Sequence, residues 1–107
     1  MTVGDKPLAL RLTPQAIRDL EEIWLFTAVT WSVDQAESYI TELNETFELI
    51  CFTPQIARER QEISPPVRMH RHRSHLIIYR LVDRVVVIVR VLHMKAHWQS
   101  ALDDLGT

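Results

Sequence analysis

The spacing of apolar residues changes character along the chain. Residues 8–12 read Leu, Ala, Leu, Arg, Leu, an alternation that suits a first strand. Between Pro14 and about Val29, Ile17, Leu20, Ile23, Trp24 and Thr27 recur at helical spacing, while Arg18, Asp19, Glu21 and Glu22 occupy much of the opposite face. Between Val33 and Phe52, Ala36, Tyr39, Ile40, Leu43, Phe47 and Ile50 mark a second helical stripe. The punctuation agrees with both. Thr13-Pro14 supplies a capping hydroxyl and a proline at the first helical position. Ser32-Val33-Asp34-Gln35 has the form of a capping box. Thr53-Pro54 stops the second helix, because the residue before proline is pushed out of helical geometry. The break at Thr30–Ser32 is short, so the two helices are predicted to lie antiparallel as a hairpin.

After a polar loop over 55–66, closed by Pro65-Pro66, the period shortens again. Val67–His72, His75–Val82 and Val85–Leu92 read as three strands, with Asp83-Arg84 turning the last two. The final stretch, VVVIVRVLH over Val85–His93, does not alternate: Val86, Ile88 and Leu92 are as apolar as Val85, Val87, Val89 and Val91. It is too short to span a membrane. A strand with one wet face alternates, so this one must be covered on both sides. The helical hairpin supplies one cover. Ala96–Leu105, with Trp98, Ala101, Leu102 and Leu105 apolar and Gly106 suited to its end, reads as a short terminal helix that supplies part of the other, and a bound partner is expected to supply the rest. The expected fold is α+β: an N-terminal strand, an antiparallel α-helical hairpin, then a three-stranded antiparallel meander in one mainly antiparallel sheet, and a short C-terminal helix.

Composition narrows the chemistry. The 107 residues suit a single domain spanning 1–107 with a modest core. Glycine occurs only at Gly4 and Gly106, which leaves no Gly-rich phosphate loop. One cysteine, Cys51, excludes an internal disulfide framework and a cysteine-rich zinc site, and its apolar helix end favours an inert thiol. The N-terminus lacks the pattern of a secretory signal, so a cytoplasmic location is expected. A formal charge of −2 argues against direct nucleic-acid binding. The charge is nevertheless uneven: Arg58, Arg60, Arg68, Arg71 and Arg73 cluster with His70, His72 and His75, and many of the acids lie between Asp19 and Glu48.

Leu-Thr-Pro-Gln-Ala-Ile-Arg-Asp-Leu-Glu-Glu-Ile-Trp over 12–24, the Ala36, Tyr39, Leu43 helix, Thr53-Pro54, Val67-Arg68, Leu76-Ile77-Ile78-Tyr79-Arg80 and Ile88-Val89-Arg90-Val91-Leu92-His93 together resemble the ParE branch of the RelE/ParE toxin superfamily. The resemblance runs from about residue 8 to 102. It departs from the family pattern at Ala57-Arg58, where Gly-Arg is frequent, at Val85, where the hairpin turn often carries glycine, and at Lys95-Ala96-His97, where an Arg-Met-Asp-like run is common. It implies a RelE/ParE-like fold and a toxin of a bacterial type II toxin–antitoxin pair, held inactive by a ParD-like antitoxin. The ParE branch is associated with inhibition of DNA gyrase; the RelE branch cleaves mRNA on the ribosome.

Three functions follow as expectations. The first is a toxin that acts by protein contact on gyrase and uses no catalytic residue, cofactor or metal. The second is a ribosome-dependent, metal-independent endoribonuclease drawing on Arg68, Tyr79, Arg90, His93 and Lys95. There a base takes the 2′-hydroxyl proton, cations stabilise the phosphorane and an acid protonates the leaving oxygen. The third is a non-toxic binding partner of the same fold. Against the catalytic set stands a structural reading, in which Arg90 pairs with an acid, Tyr79 packs with its hydroxyl bonded and His93 caps a strand end. Antitoxin contacts are expected at Arg18, Glu22, Trp31 and Arg90, and at the free edge of the first strand. Target contacts are expected at Arg71, Arg73, His93 and Lys95. Trp24 is read as packing and Trp31 as an interface anchor. His70 and His72 share a strand face and could form a metal pair, but no spacing here is diagnostic of a metal site.

Overall fold

The computed structural model describes residues 6–103. The chain runs β1 (Ala9–Leu12), α1 (Pro14–Thr30), α2 (Val33–Phe52), a 3-10 turn (Pro54–Ile56), β2 (Glu59–Arg60), β3 (Val67–His72), β4 (His75–Val82), β5 (Val85–His93) and α3 (Trp98–Asp103). The helix starts are built as the sequence predicts. The Thr13 hydroxyl accepts from the Ala16 amide at 3.0 Å, and the Ser32 hydroxyl accepts from the Gln35 amide at 3.0 Å. Thr13 also donates to the Val89 carbonyl at 2.8 Å, which fastens the start of α1 to β5. Trp24 Nε1 donates to Glu37 at 3.0 Å and ties the two helices together.

The sheet order is β1-β5-β4-β3-β2. The predicted meander β3-β4-β5 forms its centre and is antiparallel. β1 pairs parallel to β5, and the long connection between them, which such a pair requires, comprises the helical hairpin and the strands β2, β3 and β4. The segment read as an unstructured polar loop contains β2, where Glu59 pairs with Arg68 and Arg60 with Val67. Two residues are too few to show a period, so the pairing is set by β3 alone. Asp83 and Arg84 turn β4 into β5 with φ of 50° and 65°. No glycine is present there, and the left-handed conformation costs on the order of 1 kcal/mol per residue. The terminal helix begins later than expected, at Trp98, and the expected Leu105 and Gly106 lie outside the described residues.

Each face of the sheet carries its own core. Under the hairpin lie Ala16, Leu43, Phe47, Ile50, Ile77, Tyr79, Val86, Ile88 and Val91. On the opposite face Val67, Ile78, Val87, Val89 and Leu102 are buried, with Met69 and Trp98 packed against them. α3 therefore supplies part of the second cover, as expected. Each fully buried Leu, Ile or Phe contributes about 1.5–3 kcal/mol.

The failure of β5 to alternate has a second cause besides double coverage. Val86 and Ile88 belong to the hairpin core and Val87 and Val89 to the other, but Val91 belongs to the hairpin core again. A register shift produces the change: Tyr79 pairs with Ile88 while Ile78 pairs with Arg90, so the ladder bulges around Val89 and the parity of the strand reverses.

α1 is rotated relative to the predicted stripe. Ala16 and Asp19 are its buried residues, Leu20 and Ile23 pack beside them, and Ile17 is largely exposed. Asp19, assigned by pattern to the wet face, points inward. Hydrophobic spacing treats every carboxylate as solvated and cannot register that a cation is waiting for this one. No helix among the described residues is long and apolar enough to cross a membrane.

Candidate functional site

Arg90 is the cation that meets Asp19. Its Nε donates to Asp19 Oδ2 at 2.8 Å and its Nη2 to Oδ1 at 2.9 Å. The Val91 amide donates to the same Oδ2 at 2.9 Å. Placement at the bulge re-aims Arg90 toward α1. The pair is 7% exposed at Asp19, and its bidentate, two-charge geometry is the form in which a buried ion pair is tolerated.

Beside this pair opens a groove of about 760 Å³ between the helical hairpin and the ends of β4 and β5. Ile23, Phe26, Trp31 and Leu92 give it apolar lining. Phe26 and Trp31 are each 68% exposed, although both are aromatic. Tyr39, Glu42, Arg73, His75 and His93 give the groove polar lining. Glu42 accepts from Arg73 Nε at 2.8 Å and lies 3.1 Å from His72 Nε2. The Arg73 bonds, then that of His72, hold the Glu42 carboxyl below the usual carboxylate range. Tyr39 Oη lies 2.7 Å from His75 Nδ1. Burial, then the imidazoles of His93 and His72, lower His75 from its ordinary value.

The expected contact residues divide. Glu22, Trp31 and Arg90 from the antitoxin set line this groove, as do Arg73 and His93 from the target set. Arg18 is exposed and is not part of the lining. Arg71 is exposed and donates to the Arg73 carbonyl at 2.7 Å, which shapes the β3–β4 turn. Lys95 is exposed just beyond β5, and its amide donates to His93 Nδ1 at 3.1 Å.

The five residues considered for RNA cleavage do not form one site. Arg68 donates to the Ala57 carbonyl at 2.6 Å, and Tyr79 to the Pro54 carbonyl at 2.8 Å. These two are paired across β3 and β4. They lie four residues along β4 from His75, about 13 Å away, and His75 is the partner of His93. Burial raises the Tyr79 phenol, so it is far from the proton affinity of a general base at neutral pH. Arg90 is committed to Asp19. In this structure Arg90 pairs with an acid, Tyr79 is buried with its hydroxyl bonded, and His93 stands at the end of β5.

His70 and His72 do not converge on a metal site. His72 is engaged by Glu42 and by the Thr46 hydroxyl, 3.3 Å from Nδ1. Among the described residues no group of three or more His, Cys, Asp or Glu is placed to hold a metal ion. The Cys51 thiol is buried and its pKa is raised, chiefly by that burial, as an inert thiol requires. Trp24 is half-buried, and its indole N–H reaches Glu37 on α2.

Sequence spacing missed Phe26, Tyr39, Glu42 and His75 as groove residues. A signal existed for His75: a two-residue turn at Arg73-Ser74 sets His72 opposite it, and the equal reach of β4 and β5 from Asp83-Arg84 sets His93 on its other side. Glu42 and Tyr39 reach the same place from α2, and no local pattern predicts that.

The sequence profile of the family described as ParE toxin of type II toxin-antitoxin system, parDE, matches residues 10–98. Toxin ParE1 of Mycobacterium tuberculosis is 40% identical over 85 residues, covering 78% of this chain and 87% of the relative. Toxin ParE1 of Caulobacter vibrioides is 34% identical over 92 residues, covering 86% and 95% respectively. A solved structure described as the chromosomal ParDE TA system from P. aeruginosa has the same fold, with a TM-score of 0.69 at 18% identity over 85% of this chain and 98% of that one.

Proposed function

The chain belongs to the ParE toxin family of type II toxin–antitoxin systems, and from that premise we propose that it acts in the cytoplasm by protein contact rather than by cleaving RNA. Its target is DNA gyrase, the target with which the resembling ParE branch is associated, and a ParD-like antitoxin neutralises it. The observation that carries the protein-contact reading is the state of Arg90. A nuclease would hold this guanidinium open to a phosphate, whereas here it is locked in a bidentate pair with Asp19 and 18% exposed.

The groove beside that pair suits the antitoxin. Exposed aromatic side chains next to a polar rim are the usual composition of an interface core, and an amphipathic helix laid in a groove is a common way for a disordered tail to fold on its partner. Glu22, Phe26, Trp31 and the Asp19–Arg90 pair are its contacts. The exposed outer edge of β1 is a second place for an extended segment of the same tail.

The deciding experiment pairs two assays on the purified chain: supercoiling by gyrase, and mRNA cutting in a translating extract. Inhibition of supercoiling without mRNA cutting is expected. Cutting that is abolished by Arg68→Ala, with supercoiling untouched, would overturn the proposal. A tight antitoxin complex with neither activity would make the chain a binding partner only.

A further inference from the structure

Three histidines stand in one row across three strands. His72 is the register partner of His75, and His75 is the register partner of His93. The His75 and His93 rings meet edge to face, with centroids 5.5 Å apart. Tyr39 of α2 lies across the row, 5.7 Å from the His72 ring and 5.4 Å from the His75 ring. His72 stands behind, held by Glu42 and Thr46, while His75 and His93 line the groove.

Two of the three carboxylates that line the groove are already matched. Asp19 is taken by Arg90 and the Val91 amide, and Glu42 by Arg73 and His72. Glu22 sits on the α1 lip of the groove. The polar end thus offers two imidazoles with the Arg73 guanidinium nearby, and beside them the apolar surface of Ile23, Phe26, Trp31 and Leu92.

We infer that the groove takes an apolar segment of the antitoxin whose Asp or Glu side chain sits against His75 and His93, so that docking takes up a proton. This rests on the antitoxin reading above and adds the chemistry of the docked segment and the regulation of the contact. The Tyr39 hydroxyl makes both protonation states of His75 tenable. It lies 2.7 Å from His75 Nδ1 and 3.5 Å from the His72 carbonyl. With His75 neutral, the hydroxyl hydrogen can serve Nδ1. With His75 protonated, Nδ1–H donates to the hydroxyl oxygen and the hydrogen turns to the His72 carbonyl.

The groups facing His75 are Tyr39 and Glu42 from α2, His72 and Arg73 from β3 and its turn, and His93 from β5, with Asp19 and Glu22 across the groove on α1. In the free protein, burial and the two neighbouring imidazoles hold His75 neutral. An arriving carboxylate reverses that balance. Between the free and bound values the complex carries the extra proton, so affinity rises as pH falls through that window and is flat on either side of it.

The test is isothermal titration calorimetry of the full chain with a purified ParD-like antitoxin, at pH 6, 7 and 8, in buffers of different ionisation enthalpy. Net proton uptake near neutral pH, and affinity several-fold tighter at pH 6 than at pH 8, are expected. Both should disappear in His75→Gln and shrink in His93→Gln. His93 is exposed, so its variant keeps the test decisive if His75→Gln fails to fold. One Asp or Glu of the antitoxin, changed to Asn or Gln, should abolish the uptake in the same way. A complex that forms without uptake, or with uptake unchanged in both histidine variants, overturns this inference and leaves antitoxin binding standing. No complex at any pH overturns antitoxin binding and the inference with it. Uptake on titrating a single-stranded oligonucleotide, with none on the antitoxin, overturns it in favour of a nucleic-acid surface.

Discussion

Asp19 Oδ2 accepts two hydrogen bonds from adjacent residues of β5, one from Arg90 Nε at 2.8 Å and one from the Val91 amide at 2.9 Å. One carboxylate thus neutralises a half-buried guanidinium, satisfies a buried amide and ties α1 to the sheet beside the groove. Removing it takes this pairing from Arg90 and leaves the buried Val91 amide without its acceptor. Asp19→Ala is expected to lower stability by about 2–3 kcal/mol, the scale of a lost charged hydrogen bond together with an unsatisfied buried amide. Urea denaturation measures this. The double change Asp19→Leu with Arg90→Met should recover a large part of the loss, because it removes both charges together. Equal stability of the double and single variants would show that the ion pair is not what the helix rests on.

Tyr79 is fully buried and spends its hydroxyl on the Pro54 carbonyl. Tyr79→Phe is expected to cost about 1 kcal/mol, the net value of one such bond, with a further penalty from the stranded carbonyl. Thermal unfolding reads that change. Inhibition of the target should be unaffected, since the ring still fills its site. A loss of toxicity with unchanged stability would return Tyr79 to a chemical role.

Phe26 and Trp31 form the exposed aromatic wall of the groove. Each changed to alanine should weaken antitoxin binding by about 2 kcal/mol, roughly 30-fold, as interface aromatics do. Melting temperature should stay close to wild type, because little of either side chain is buried in the free chain. Val29→Ser is the control. Val29 is 78% exposed and does not line the groove, so affinity measured by titration should not change.

Acid should unfold the protein through two distinct windows. His75 titrates in the folded chain below its ordinary 6.5, so the unfolded state binds more protons as pH falls past that value. Its contribution is intact above about pH 6.5 and is lost as pH drops toward the depressed value. Glu42 is also depressed, from an ordinary 4.5. Its contribution is present above 4.5 and is lost at lower pH, as the carboxyl protonates and releases Arg73 and His72. Melting temperature followed from pH 8 to pH 3 should therefore fall in two stages. His75→Gln should remove the upper stage and Glu42→Gln the lower. Persistence of the upper stage in His75→Gln would assign it to another group.

The elements themselves were legible locally. Thr13-Pro14, Ser32 and Thr53-Pro54 bound the helices because capping and proline geometry act within a few residues. The stripe of Leu43, Phe47 and Ile50 identified the buried face of α2, and the apolar run of β5 announced that both its faces would be covered. The same residues that carried the family resemblance are those that build this frame.

Whatever depended on two distant segments meeting was not legible. No period in α1 marks Asp19 as buried, since its reason for turning inward is Arg90, 71 positions later. No feature of VVVIVRVLH shows that its parity reverses at Val89, since a bulge is defined only against the neighbouring strand. The groove belongs to the same class, with Phe26 and Trp31 from the hairpin, Tyr39 and Glu42 from α2, and His75 and His93 from strand ends. The elements, their order and the strand that needs two covers follow from the chain's local pattern, because hydrophobic periodicity and capping are short-range physics. The Arg90–Asp19 pair and the row of three histidines exist only once the chain has folded, because charge pairing and strand register are settled by packing between residues far apart in the chain.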